Sequence, residues 1–133
     1  MKTKLLSEIK KQIDEIHFQE KFDLLVAIER GGINPAKLLS EKLNLEINSI
    51  KINYRDDEHN IIREEPKLLE EIGFDPKNKT VLLVDDVSRT GSTLEKARQI
   101  LSQAKLIKTF VVNGEADYSL YDEECFRVDW SNP

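Results

Sequence analysis

A chain of 133 residues, 34 % charged and 39 % hydrophobic, is long enough to bury one core and too short for two, and its balance is that of a compact soluble domain rather than a disordered or membrane-spanning one. Its formal net charge of −5 argues against a broad basic face, so sequence-independent binding to nucleic acid is not favoured. Cys125 is the sole cysteine, which rules out an internal disulfide; no Cys/His grouping has zinc-ligand spacing, and the thiol is read as packing or semi-exposed.

The opening stretch "MKTKLLSEIKKQIDEIHF" lacks a continuous apolar segment and a small-residue cleavage site. It therefore reads as neither a signal peptide nor an anchor, and the cytoplasm is the expected location. From Leu5, the apolar positions Leu6, Ile9, Ile13 and Ile16 recur at helical spacing with charges between them, which predicts an amphipathic helix closing over a sheet, with His17 at its end. "FDLLVAI" (Phe22 to Ile28) is a continuous apolar run of strand length, the pattern of a strand covered on both faces. It stops at "ERGG". Asn34 as cap and Pro35 in the first turn then predict a helix to about Leu43.

"EINSIKINY" (Glu46 to Tyr54) sets Ile50, Ile52 and Tyr54 on one alternating face and predicts a second strand. The polar stretch Arg55 to Pro66 has no period and reads as a surface loop, with a short hairpin through Ile61 and Ile62 as one option. After the turn "FDPKNK" comes the strand "TVLLVD", then a helix from Ser92 to about Gln103 with Leu94, Ala97 and Leu101 inward, then the strand "LIKTFVVN" (Leu106 to Asn113). Strands alternating with helices imply parallel pairing and a three-layer α/β sandwich with a mainly parallel central sheet, in one domain over residues 1–133. The tail "DYSLYDEECFRVDWSNP" is too short for a domain and is expected to fold over the last sheet edge.

Ligands of such sheets bind at the carboxyl ends of the strands, where "ERGG" and "DDVSRTGST" both fall. In the second, a loop leading into a helix N-terminus directs unpaired backbone N–H groups at one spot. Ser88, Thr90, Ser92 and Thr93 add hydroxyl donors, and Gly91 lets the backbone approach closely, so the loop suits a phosphate monoester. Asp85 and Asp86 would repel that phosphate if they faced it. They are better suited to the vicinal hydroxyls of a ribose, or to a divalent metal bridging a sugar and a leaving pyrophosphate. No Walker loop and no G-x-G-x-x-G occurs.

"VLLVDDVSRTGST" resembles the ribose-phosphate signature of the type I phosphoribosyltransferases, and "VAIERGGINPAKLLSEKL" resembles the pyrophosphate loop and following helix of the same family. With the closing "VDW", the order and spacing look most like the short xanthine-guanine branch of purine salvage, over nearly the whole chain. The resemblance implies transfer of the 5-phosphoribosyl group from phosphoribosyl pyrophosphate (PRPP) to a nucleobase with Mg²⁺, in a homodimer. Asp85 and Asp86 would meet the ribose hydroxyls or the metal, and Ser88, Arg89, Thr90, Gly91, Ser92 and Thr93 would wrap the 5-phosphate. Arg30 and Gly31 would meet the pyrophosphate, in a loop where the family often has a non-proline cis peptide. Tyr54 and Arg55 open a lid over about residues 54–66, with His59 and Arg63 also in it. Residues 114–133 correspond to a hood in which Trp130 stacks on the base or, in the competing reading, plugs the core edge; Cys125, Phe126 and Val128 anchor it.

Two positions depart from the pattern. Many 6-oxopurine enzymes of the family have an aspartate where Arg89 stands, and an arginine takes no proton at neutral pH. A lysine that reads the 6-oxo group is missing from "VVNGEADY", which leaves Asn113 or Glu115 to meet the base and keeps the base itself open. The second reading is accordingly a non-catalytic PRPP-sensing regulator on the same fold. A third is a sugar-phosphate or nucleotide hydrolase using His59.

Overall fold

The computed structural model describes residues 1–53, 67–68 and 71–131. In chain order the elements are β1 (Lys2–Leu5), α1 (Leu6–Asp14), β2 (Leu24–Glu29), α2 (Ile33–Leu43), β3 (Ile47–Asn53), β4 (Lys67–Leu68), β5 (Thr80–Ser88), α3 (Ser92–Ile100), β6 (Leu106–Gly114), β7 (Tyr118–Tyr121) and β8 (Phe126–Asp129). The central sheet has the order β4-β3-β2-β5-β6-β7 and is parallel except for β4, which runs antiparallel to β3. The expected α/β architecture is therefore present. Tyr54 and the remaining lid residues, with Ile61 and Ile62, lie outside the described residues.

Alternation along the strands divides the interior in two. Leu82, Val84 and Phe110 face one side, where Ile9 and Ile13 of α1 and Leu39 of α2 cover them. Val81, Leu83 and Val111 face the other, under Leu94 and Ala97 of α3 and under Leu101. Burial on both faces is why β2 and β5 read as unbroken apolar runs. The chain leaves β2 for β3 on one side, and β5 lies on the other, so the winding direction of the sheet reverses between β2 and β5. A crevice opens at the carboxyl end of such a reversal.

Several local expectations need correction. Gly32, not Asn34, is the N-cap of α2, which puts Asn34 and Pro35 inside its first turn. The last helix ends at Ile100, short of Gln103, although Leu94, Ala97 and Leu101 are buried as expected. The N-terminal residues before α1 form a strand that pairs in parallel with β8, Lys2 opposite Phe126 and Lys4 opposite Val128. The tail also supplies a sixth strand to the main sheet, because β7 pairs in parallel with β6.

The last connection is short. Only residues 115–117 separate β6 from β7, whereas a parallel pair normally needs a crossover of about a dozen residues or more. The Asp117 carboxylate fastens the turn by accepting the Thr109 N–H at 2.8 Å, the Thr109 hydroxyl at 3.1 Å and Arg98 Nη2 at 3.1 Å. Its own N–H donates back to Thr109 Oγ1 at 3.0 Å.

Candidate functional site

Both loops at the sheet reversal are built around glycines, for separate physical reasons. A Cβ on Gly32 would lie 2.3 Å from the Val84 carbonyl oxygen and 2.7 Å from that of Ile28, so this residue must pass the ends of β2 and β5 without a side chain. A Cβ on Gly31 would lie 2.3 Å from Asp86 Oδ1. The "ERGG" turn thus rests directly against the second carboxylate of β5, and the Glu29–Arg30 peptide within it is cis. Ser49 of β3 supports the turn from the side by donating its hydroxyl to Glu29 Oε2 at 2.9 Å.

Asp85 and Asp86 point to opposite faces of β5. Asp85 shares the face of Leu83 and is buried, while Asp86 shares the face of Val84, is half-buried and reaches Gly31. Each uses Oδ1 to accept the next backbone N–H, Asp86 for Asp85 and Val87 for Asp86, both at 2.8 Å. Burial, then the negative charge of Asp86 beside it, pushes the Asp85 carboxyl well above the usual carboxylate range. The two carboxylates do not converge on one point, so a divalent cation such as Mg²⁺ would be held by one of them; at Asp85 it would relieve the cost of the buried charge. Among the described residues no cluster of three or more His, Cys, Asp or Glu groups could hold a metal, so such a cation would complete its shell from water and ligand oxygens.

The hydroxyl loop follows. Gly91 is the N-cap of α3 with φ +81, a conformation that favours glycine, and a Cβ there would meet nothing within 4 Å. Its role is therefore conformational, and the close contact expected of it is not made with protein. Thr90 Oγ1 accepts the Ser92 N–H at 3.2 Å and donates to Ser92 Oγ at 3.0 Å, which ties the hydroxyls to the start of the helix. Arg89 and Thr90 are exposed; Ser88, Ser92 and Thr93 are half-buried. Gly114, at φ +129, closes the far side, where a Cβ would come 2.3 Å from the Ser88 carbonyl oxygen.

The hood residues divide by what they touch. Asn113 is buried and commits its amide to the hood turn, donating to the Glu123 carbonyl at 3.1 Å and accepting the Glu123 N–H at 3.0 Å. Glu115 is exposed in the turn after β6. Trp130 is half-buried and packs, with Phe126 and Val128, against the core on the α1 and α2 side. The Arg89 guanidinium donates from Nη2 to the Cys125 sulfur, so the loop after β5 and the hood are in contact. Sequence reasoning missed this contact and the seat of Gly31 on Asp86, because each joins residues far apart in the chain.

Over residues 2–130 the chain matches the phosphoribosyl transferase domain family. It is similar to a xanthine-guanine phosphoribosyltransferase of Idiomarina loihiensis, 26 % identical over 68 % of this chain and 56 % of that protein. It is also similar to a ribose-phosphate pyrophosphokinase of Pyrococcus furiosus, 33 % identical over 76 % of this chain and 34 % of that one. The chain thus spans from about a third to somewhat over half the length of these curated relatives. The crystal structure of a purine phosphoribosyltransferase from Pyrococcus horikoshii superposes with a TM-score of 0.78 at 26 % identity, covering 100 % of this chain and 96 % of that one.

Proposed function

The chain belongs to the phosphoribosyl transferase domain family, and we propose that it transfers the 5-phosphoribosyl group of PRPP to a nucleobase, a purine in the first instance, with release of pyrophosphate. The observation that carries this reading is the contact of the Asp86 carboxylate with Gly31. It brings the "ERGG" turn against the acidic end of β5, the strand that leads into the hydroxyl loop, which supports one ligand with ribose, pyrophosphate and 5-phosphate groups. The names of the xanthine-guanine phosphoribosyltransferase and the ribose-phosphate pyrophosphokinase share a phosphoribosyl or ribose-phosphate group and differ in the reaction.

In this reading Ser88 to Thr93 hold the 5-phosphate through hydroxyls and the backbone N–H groups of the α3 terminus. Asp85 and Asp86 would hold the ribose hydroxyls or the Mg²⁺, which when bound offsets charge on the pyrophosphate. Arg30 and the backbone of Gly31 orient the pyrophosphate. The bond from C1 of the ribose to the pyrophosphate oxygen breaks with its electron pair leaving on pyrophosphate, and a bond from a base nitrogen to C1 forms. Charge develops on the leaving group and the ribose, so cations and amide donors fixed beforehand lower the barrier. The proton of the base nitrogen goes to solvent or to the departing pyrophosphate, since residue 89 is an arginine. Trp130 and Glu115 meet the base, Asn113 shapes the turn above it, and Tyr54 and Arg55 belong to a lid. The setting is nucleotide salvage in the cytoplasm, in a homodimer; no helix among the described residues is long and apolar enough to cross a membrane.

One observation favours a second reading. Arg89, in place of a proton acceptor, is bonded to Cys125 of the hood, as suits a PRPP sensor that closes on its ligand without turnover. Pyrophosphate release from PRPP and Mg²⁺ across adenine, hypoxanthine, guanine, xanthine, uracil and orotate separates the two. Release that depends on one base is the expected result. PRPP binding by calorimetry with no base-dependent release would replace the transferase with the sensor.

A further inference from the structure

Lys4 lies on β1, whose pairing with β8 is not evident from the sequence. Its ammonium sits 3.1 Å from Glu123 Oε1, 4.1 Å from the centroid of the Tyr121 ring and 4.8 Å from that of Phe126. The two rings meet edge to face with centroids 5.4 Å apart. The Lys4 side chain is only 16 % exposed. A cation shared by two rings and partly withdrawn from water is held more firmly than a surface ion pair.

The three partners bracket one turn. Tyr121 ends β7, Glu123 lies within the turn, and Phe126 begins β8. Asn113 grips the same turn through the Glu123 backbone. Trp130 directly follows β8, the strand that β1 pairs with.

We propose that Lys4 is a positioning residue: it locks the hood turn 122–125 and β8 in place and thereby sets the ring of Trp130, without touching the reacting atoms. Its consequence for substrate, tight binding of the nucleobase rather than of PRPP, rests on the transferase reading above. A lysine serves here because its apolar stem can be buried while its ammonium meets both the rings and the carboxylate.

Lys4→Met keeps the stem and removes the charge, whereas Lys4→Arg keeps both. With the base that the parent turns over, K4M is expected to raise the KM for the base roughly fivefold, the scale of one lost partly buried cation–π and ion-pair anchor. The KM for PRPP is expected to stay within about twofold, and K4R to recover most of the loss. Equal changes in both KM values, or no change in either, would overturn the proposal. Trp130 is the sole tryptophan, so its emission gives a second readout independent of turnover. Red-shifted emission with stronger acrylamide quenching in K4M, restored in K4R, supports the lock; an unchanged spectrum overturns it. If the parent releases no pyrophosphate with any base, the transferase reading fails and the emission alone decides the role of Lys4. Should K4M not fold, Glu123→Gln removes the same ion pair and is judged by the same readouts.

Discussion

Asp85 shows at single-residue scale how a buried carboxylate weakens the native state. Burial and the adjacent Asp86 raise its carboxyl well above the ordinary range. The native state then keeps a proton that the unfolded chain has already released, so stability declines as pH rises from the ordinary carboxylate range through the raised native value. Asp85→Asn preserves an acceptor for the Asp86 N–H and removes the charge. At pH 7 it is expected to raise Tm, by about 3–5 °C per kcal/mol relieved in a chain of this size, and to abolish PRPP binding by calorimetry. The gain should shrink below pH 4. An unchanged or lowered Tm at pH 7 would refute the assignment of burial as the dominant cost. Gain of stability with loss of ligand is the usual trade at a binding site.

At the scale of elements, the β6–β7 connection is held by one carboxylate. Asp117→Ala leaves the N–H of buried Thr109 without its acceptor, an expected loss of about 1–3 kcal/mol, seen as a lower urea midpoint at constant m; an unchanged midpoint would show the turn to be held by its backbone alone. The same elements mark what could be read in advance. The strands at Leu24–Glu29 and Thr80–Ser88 were legible because burial on both faces leaves an unbroken apolar run. The helix at Ser92–Ile100 was legible because only one side of it is buried. Neither Lys2–Leu5 nor Phe126–Asp129 carries such a signal: each has four residues, mixes charge with apolar side chains and owes its strand conformation to the other. Asn34 looked like a cap by type, yet the helix starts earlier because Gly32 alone fits against the Val84 and Ile28 carbonyls.

For the whole molecule, the reversal of winding between β2 and β5 brings together two loops that lie well apart in the chain. Their residue types stood out at short spacing, since carboxylates, hydroxyls and paired glycines each have few reasons to cluster. Their contact did not, because only the parallel register of β2 with β5 sets Gly31 on Asp86. A ligand that spans both loops binds only the folded chain. PRPP with Mg²⁺ at a hundred times its Kd is therefore expected to stabilise the protein by about 2.7 kcal/mol, read as a rise in Tm. Ribose 5-phosphate or pyrophosphate, each engaging one loop, should raise it less. Equal shifts from all three would mean that the loops act separately.

The pairing of Lys2 with Phe126 also orders events in time. Contacts between positions so far apart in sequence carry the largest loop-closure cost and form late, after the local strand and helix units. On the ribosome, β1 emerges well before β8 and stays without that partner until β8 is made. Synthesis that stops short of Phe126 yields a chain without the parallel pair that fastens the hood and without Phe126, Val128 and Trp130 against the core on the α1 and α2 side. In effect, a paired β1 records that synthesis has passed Asp129.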